Sequence, residues 1–187
     1  MKSIIKRALE LGSRIYVFLL LSSYGLGKII GQQFYRKGEL PEKVASKTLA
    51  EAGSFDLAWT FMGYSNTYII IVGGLQLIGA FCLLFNRTKL MGIMILLPIL
   101  LNIIVFDAIF FDDGNYGALF SAILYFLLLI LVLCLNKNTV GNIIKLLFKS
   151  DEKFKIKFRD VKLILVSIAV IGMFLIIDQL LVTIFGH

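Results

Sequence analysis

The sequence has few of the residues on which most catalytic and metal sites depend. Its 187 residues include one histidine and two cysteines, and the histidine is the last residue, His187. The chain contains no HExxH, CxxC, GxSxG or P-loop motif. These absences exclude zinc hydrolysis, haem ligation and nucleotide hydrolysis, and the sequence predicts neither a catalytic residue nor a metal site.

Charged residues are also scarce. Aspartate, glutamate, lysine and arginine together make up 17% of the chain, whereas 59% is hydrophobic and the mean hydropathy is +0.90. A soluble domain cannot expose so much apolar surface to water. The composition therefore predicts an integral membrane protein.

Five apolar segments are long enough to cross a hydrocarbon core of about 30 Å, which takes roughly 20 helical residues. They cover about residues 14–33, 65–85, 89–111, 116–135 and 162–185. The first follows basic residues, as in a signal peptide, but it lacks a small-residue cleavage site and is predicted to be an uncleaved anchor. The expected fold is an all-α polytopic bundle. Residues 1–135 would form a four-helix core with an external loop at 34–64. A basic cytoplasmic amphipathic connector would follow in 136–161, and a fifth transmembrane helix in 162–187.

The lysines and arginines predict the orientation of this bundle. Four precede the first span, two lie near the turn 86–89, and eight lie in 136–162, while the four in loop 34–64 are offset by four acidic residues. Cytoplasmic loops retain lysine and arginine, so the N-terminus is predicted to be cytoplasmic and His187 outside, in the inner (cytoplasmic) membrane of the cell. The net charge of +7 then reflects topology and attraction to anionic lipid. No basic groove with interleaved aromatic residues predicts nucleic-acid binding.

Local patterns predict smaller features. The connector alternates apolar and basic residues, which favours an interfacial helix at about 140–149. In the external loop, Pro41 and Glu42 suit a helix start, and Ser54 can cap a second helix. Cys82 and Cys134 lie near the cytoplasmic ends of their spans, where the compartment is reducing, so both are expected to be buried, unreactive thiols.

Three charged residues lie inside the predicted spans. A rise of about 1.5 Å per residue from the cytoplasmic side puts Lys28 at about 21 Å, Asp107 at about 27 Å and Asp178 at about 24 Å. A charge at the bilayer centre costs about 2.5–3.5 kcal/mol unless it is paired or reaches water. We therefore predict an outward-facing ligand-binding pocket formed by these three residues and the nearby amides Gln32, Gln76 and Asn102. The alternative is that Lys28 snorkels to the outer headgroups and that the acidic residues belong to helix ends.

Three stretches carry a family resemblance. They are GLGK at 25–28 with Gly31 after it, QLIGAFCLLFNRT at 76–88, and WTFMGYS at 59–65 with Tyr68. Across roughly residues 14–135 these stretches resemble the DoxX-like membrane proteins, a family named after the small subunit of an archaeal quinone-linked oxidase. The chain departs from the family pattern at Gln76, where a carboxylate is usual and an amide cannot titrate, and in its fifth span.

The resemblance implies a four-helix bundle in which Lys28 faces a membrane quinone or another small amphipathic ligand. A lysine can donate to a quinone carbonyl, and Asp107 could relay protons nearby. The chain is therefore predicted to be an accessory subunit, without an intrinsic cofactor, that is associated with quinone-linked or other redox chemistry. No self-contained catalytic motif marks it as an enzyme.

Two other functions are compatible with the same residues. A non-enzymatic scaffold would hold partner membrane proteins through loop 34–64 and the basic connector. A small-solute transporter would use Lys28 as a counter-charge, although the lack of an internal repeat weakens that interpretation. The predicted partners are accordingly the lipid bilayer, other membrane proteins and a small amphipathic ligand.

Overall fold

The computed structural model describes residues 2–31, 33–111, 116–148 and 158–185. Within these ranges the regular secondary structure is entirely helical, as predicted. The helices are α1 (Lys2–Ile30), α2 (Glu42–Ala45), α3 (Ser54–Gly63), α4 (Asn66–Leu84), α5 (Lys89–Phe110), α6 (Gly117–Leu135), α7 (Lys137–Leu147) and α8 (Phe158–Phe185).

In the described part of the chain, α4, α5 and α6 are long and apolar enough to cross a membrane. Their mean hydropathies are 2.1, 2.6 and 3.0. These helices identify a membrane protein, in agreement with the composition. Helix α8 contributes a further apolar stretch at Leu165–Leu180.

The first of two compact units, residues 1–142, is built around a bundle of four long helices. Helix α1 packs against α4 and α6, and α5 packs against the same two helices. The order around the bundle is therefore α1, α4, α5, α6, which places α1 diagonally opposite α5. The shorter helix α3 packs against α4 and α5.

One end of the bundle is tightly packed and polar at its rim. Buried side chains from all four helices, including Leu21, Leu83 and Leu129, form a continuous apolar core there. At the rim Arg14 is 2% exposed and donates hydrogen bonds to the carbonyl of Leu83 at 2.6 Å, the carbonyl of Leu84 at 3.0 Å and Oδ1 of Asn86 at 2.7 Å. Arg14 thus satisfies carbonyls that the C-terminus of α4 leaves without helical partners.

Glycines bring the helices close together. A Cβ on Gly73 of α4 would lie 3.0 Å from the backbone oxygen of Gly25 on α1. A Cβ on Gly92 of α5 would lie 2.6 Å from the backbone oxygen of Gly79 on α4. Such contacts are typical of membrane helices, whose association depends on close packing. Gly73, Gln76 and Ala80 lie along one face of α4, and all three are buried.

Residues 34–64, hereafter the external segment after their predicted location, cover the other end of the bundle. Helix α2 begins at Glu42, as predicted, but it is only one turn long. Helix α3 begins at Ser54 with Gly53 as its N-cap, so the prediction that Ser54 is the cap was wrong by one residue. The backbone N–H of Tyr35 donates to the carbonyl of Trp59 at 3.3 Å, and a Cβ on Gly63 would lie 1.8 Å from the oxygen of Tyr35. Only glycine fits at position 63.

The second unit, residues 143–187, comprises the end of α7 and helix α8. Helix α7 has exposed apolar residues at Ile143, Ile144, Leu146 and Leu147 and basic residues at Lys137 and Lys145. The predicted amphipathic helix is thus present, displaced by about one turn, while its location at a membrane surface stays a prediction.

The expectation of two buried thiols was wrong, because Cys82 on α4 is half-buried and Cys134 on α6 is exposed.

Candidate functional site

A cavity of about 330 Å³ lies in the first unit, at the end of the bundle that α3 covers. It is lined by side chains from all four long helices and from α3, and most of the lining is apolar. The tight core ends near Leu21 and Leu100, which also contribute to the cavity wall. A volume of this size is at the lower end of the range for small-molecule pockets, which is roughly 300–1,000 Å³.

Lys28 is a buried cation in the cavity wall. Its side chain is 5% exposed, and its Nζ donates a hydrogen bond to Oε1 of Gln76 on α4 at 3.0 Å. The prediction that Lys28 lies inside the bundle is confirmed, which rules out the alternative that it snorkels to the headgroups. An ammonium has three N–H groups, so this bond leaves donors for a molecule in the cavity.

The amide of Gln76 has one possible orientation. Its Nε2 donates to the backbone carbonyl of Leu21 at 2.8 Å, and that carbonyl can only accept. Oε1 must therefore face Lys28. Gln76 is 0% exposed, so both ends of its side chain are satisfied without water. It links α1 to α4 and fixes the position of the ammonium.

Asp107 lies on α5 and lines the same cavity. Its side chain is 7% exposed, so it is a second buried charge of the cavity wall. Lys28 and Asp107 are nevertheless not in contact, since their nitrogen and oxygen atoms are more than 4.0 Å apart. The structure thus places both charges at the cavity without pairing them directly.

The remaining predicted site residues have different positions. Asn102 lines the cavity from α5, and its side chain is exposed, so it lies at the edge of the opening. Gln32 lies outside the described residues. Asp178 lies on α8 in the second unit with an exposed side chain, and its role in ligand binding stays a prediction. The cavity therefore brings together Lys28, Gln76, Asn102 and Asp107.

Arg36 is a contributor that sequence reasoning missed. Its Nη2 donates to the backbone carbonyl of Lys28 at 2.7 Å and to that of Ile29 at 3.2 Å, and its Nη1 donates to the side chain of Asn66. Arginine beyond a helix C-terminus satisfies free carbonyls and interacts well with the helix dipole. The basic residue just after α1 was the available signal, but the prediction treated it only as loop charge.

Aromatic side chains close the cavity on the side of α3. Trp59 stacks on Phe55 with ring centroids 4.4 Å apart and contacts Phe111 at 5.5 Å and Phe34 at 5.1 Å. These contacts pack Trp59 and Phe55 over this end of the bundle. Phe34, Trp59 and Phe111 line the cavity there, and Phe55 packs on Trp59.

Within the described residues no group of three histidine, cysteine, aspartate or glutamate side chains is arranged to hold a metal ion. The polar groups of the cavity are instead those that hydrogen-bond an organic ligand. A charged ammonium donates, a carboxylate accepts, and the apolar wall favours a molecule with a hydrophobic body.

Comparison with known proteins gives one informative similarity. The chain is 30% identical over 141 residues to the uncharacterized protein YwoB of Bacillus subtilis (strain 168), and the alignment covers 75% of this chain and 86% of YwoB. No family profile matches the chain, and no solved structure matches it.

Proposed function

The chain belongs to the family of the Bacillus subtilis protein YwoB, and we propose that it is a membrane subunit whose cavity binds a quinone-type molecule. YwoB is itself uncharacterized, so the proposal depends on the site. The proposal continues the DoxX-like resemblance of residues 14–135. In that role the protein would serve a redox system as an accessory component.

The buried lysine carries the proposal. Lys28 is held by Gln76 at 3.0 Å beside a cavity whose wall is mostly apolar. A desolvated ammonium in such a place is costly unless an acceptor satisfies its remaining donors. A quinone supplies that acceptor as a carbonyl oxygen and an apolar ring to fill the cavity. Simple helix packing would be served by an uncharged residue at this position.

An accessory role follows from the chemistry of the side chains. The described part of the chain contains no metal-binding cluster, and its two thiols lie apart on α4 and α6. Of the remaining side chains, tyrosine and tryptophan carry only single electrons as radicals, whereas a quinone exchanges two. Electrons would therefore pass through the bound molecule and a partner protein, while this chain binds and orients the ring.

The proposed membrane arrangement has five spans in the inner membrane, with the N-terminus in the cytoplasm and the C-terminus outside. The distribution of basic residues supports this orientation, since it concentrates them in the N-terminal half of α1, at the turn between α4 and α5, and after α6. In this arrangement the cavity lies in the outer half of the bundle, beneath α3.

The test is extraction of the purified protein with organic solvent. Wild-type protein isolated in mild detergent is expected to release a quinone in near-stoichiometric amount, and Lys28→Met to release much less. Lys43→Met is the matched control, because Lys43 is an exposed lysine of α2 away from the cavity. Equal recovery from wild type and Lys28→Met, or none from wild type, would contradict the proposal and leave the scaffold function as the better explanation.

A further inference from the structure

The two charges of the cavity lie on diagonally opposite helices. Lys28 is on α1 and Asp107 is on α5, and both of these helices pack against α4 and α6. Neighbouring helices in a bundle are about 8–10 Å apart, so axes on a diagonal are separated by roughly 11–14 Å. The cavity between them is where a ring-sized molecule could contact both side chains.

Asp107 has no hydrogen-bond partner for its carboxylate. It is 7% exposed and lines the cavity, yet none of the residues that the structure describes donates to its side chain. Buried carboxylates are normally hydrogen-bonded, because an unsatisfied one loses its solvation without compensation. An unpartnered acceptor facing a cavity therefore points to a donor on whatever binds there.

The two side chains place different requirements on a ligand. A charged ammonium only donates hydrogen bonds, and Asp107 only accepts them while its carboxylate is ionised. A molecule that satisfies both needs an acceptor at one end and a donor at the other. A quinone has carbonyl acceptors at both ends, which leaves Asp107 facing a second acceptor. A hydroquinone has hydroxyl groups, so one oxygen accepts from Lys28 while the opposite hydroxyl donates to Asp107.

We propose that the cavity binds the hydroquinone form of its ligand more tightly than the quinone form, with Lys28 and Asp107 at opposite ends of the ring. This inference rests on the proposed function, because it concerns the redox form of the same ligand. The apolar wall between the charges, which includes Val72, Ile99 and Ile103, contacts the faces of the ring in either form. The preference therefore comes from Asp107.

The experiment measures binding to the full-length protein in lipid nanodiscs without oxygen. The probes are a tail-less hydroquinone, the matching quinone and the dimethyl ether of the hydroquinone, which accepts hydrogen bonds but cannot donate them. Wild type is expected to bind the hydroquinone at least about tenfold more tightly than the other two, the size of one charge-assisted hydrogen bond. Asp107→Asn is expected to lose this preference, because an amide donates as well as accepts.

Two further variants complete the design. Lys28→Met is expected to weaken binding of hydroquinone and quinone alike, since both accept from the ammonium. Glu39→Gln removes an exposed acidic charge outside the cavity and is expected to keep the wild-type preference. The dimethyl ether tests the donor requirement on wild-type protein, so the inference can be judged even if a variant does not fold.

The outcomes separate the inference from the function on which it rests. Equal affinities of wild type for hydroquinone and quinone would overturn the preference while leaving quinone binding intact. A preference that survives in Asp107→Asn, or a dimethyl ether that binds as well as the hydroquinone, would also overturn it. Wild-type protein that binds none of the probes would overturn the proposed function itself.

Discussion

At the scale of single residues, Gln76 determines where the buried charge lies. It accepts from Lys28 and donates to the carbonyl of Leu21, so one amide satisfies a cation and a backbone group together. A carboxylate at position 76 would pair with the ammonium more strongly but could not donate to Leu21. The amide therefore holds the lysine in place and leaves its charge available to the cavity.

The hydrogen bond between Lys28 and Gln76 can be tested by a double-mutant cycle. Gln76→Leu leaves a buried ammonium without its acceptor, and we expect the free energy of unfolding to fall by about 1–3 kcal/mol. In Lys28→Met/Gln76→Leu the charge is absent as well, so the combined loss should be smaller than the sum of the two single losses by at least about 0.5 kcal/mol. Unfolding in mild detergent provides the measurement. Additive losses would show that the two side chains do not interact.

The external segment contains a pH-sensitive contact outside the membrane. The backbone N–H of Thr48 donates to Oε2 of Glu51 at 3.1 Å and its hydroxyl donates to the same oxygen at 2.9 Å. These two hydrogen bonds hold the pKa of Glu51 below its ordinary value of 4.5, and the bond from the backbone N–H has the larger effect. Since the folded pKa is the lower one, the stabilisation is present above about pH 4.5 and is lost as the pH falls through the folded pKa.

Hydrogen exchange should report this contact. After correction for intrinsic rates, amides of residues 48–52 are expected to exchange faster at pH 3 than at pH 6 in the wild-type protein. Glu51→Ala should show the faster exchange at both pH values. Glu39→Ala, at another exposed position of the same segment, should behave like wild type. An equal rate at the two pH values in wild type would exclude a contribution from Glu51.

At the scale of secondary-structure elements, the bundle depends on how closely α1 approaches α4. Gly73 and Gly25 face each other across this contact, and a Cβ on Gly73 would also lie 2.9 Å from Cγ1 of Ile29. The neighbouring Gly74 points elsewhere, since a Cβ there would meet nothing within 4 Å. Adjacent glycines on one helix therefore have opposite packing roles.

This difference gives a prediction with an internal control. Gly73→Ala forces α1 and α4 apart and is expected to destabilise the protein by about 1–3 kcal/mol, the usual cost of overpacking. Gly74→Ala adds a methyl group in open space and should be neutral or stabilising by up to about 1 kcal/mol, because alanine favours the helix. Thermal unfolding of both variants in the same detergent decides the matter. Equal stabilities would contradict the close contact.

At the scale of the whole molecule, the proposed orientation can be tested by labelling. In a Cys82→Ala/Cys134→Ala background, Ser46→Cys in the external segment and Asn138→Cys at the start of α7 are both exposed positions. A membrane-impermeant maleimide should label Ser46→Cys on intact cells and Asn138→Cys only after permeabilisation. The reverse pattern would show that the N-terminus lies outside. Labelling of both cysteines on intact cells would show that the two positions do not lie on opposite sides of the membrane.

The boundaries of α4, α5 and α6 follow from the sequence because their causes are local, whereas α1 begins at Lys2 and ends at Ile30, against a predicted span of 14–33. Long apolar runs end at polar turns, and Ser65 caps α4 by accepting from the backbone N–H of Tyr68 at 3.3 Å. The predicted second and third spans consequently agree with α4 and α5 to within a residue at each end. The external segment was predicted less well, since α2 is only one turn long and Ser54 is the first residue of α3 and not its cap.

The candidate site was only partly accessible to sequence reasoning. The depth of Lys28 and Asp107 follows from residue counting, and the structure places both at one cavity. The hydrogen bond from Lys28 to Gln76 joins residues 48 positions apart, and no periodic pattern predicts it. The contribution of Arg36 and the packing of Trp59 over the cavity depend on how the external segment folds back onto the bundle.

The sequence alone determined that this is a helical membrane protein with charges buried in its apolar segments, because composition and hydrophobic run length act without reference to the rest of the chain. Only the tertiary structure decided which of these charges share a cavity and which one is held by a hydrogen bond. The physical reason is that helix order and helix rotation arise from close packing at small residues such as Gly73 and Gly79. The order that places α1 diagonally opposite α5 puts Lys28 and Asp107 on opposite helices of the wall of one cavity.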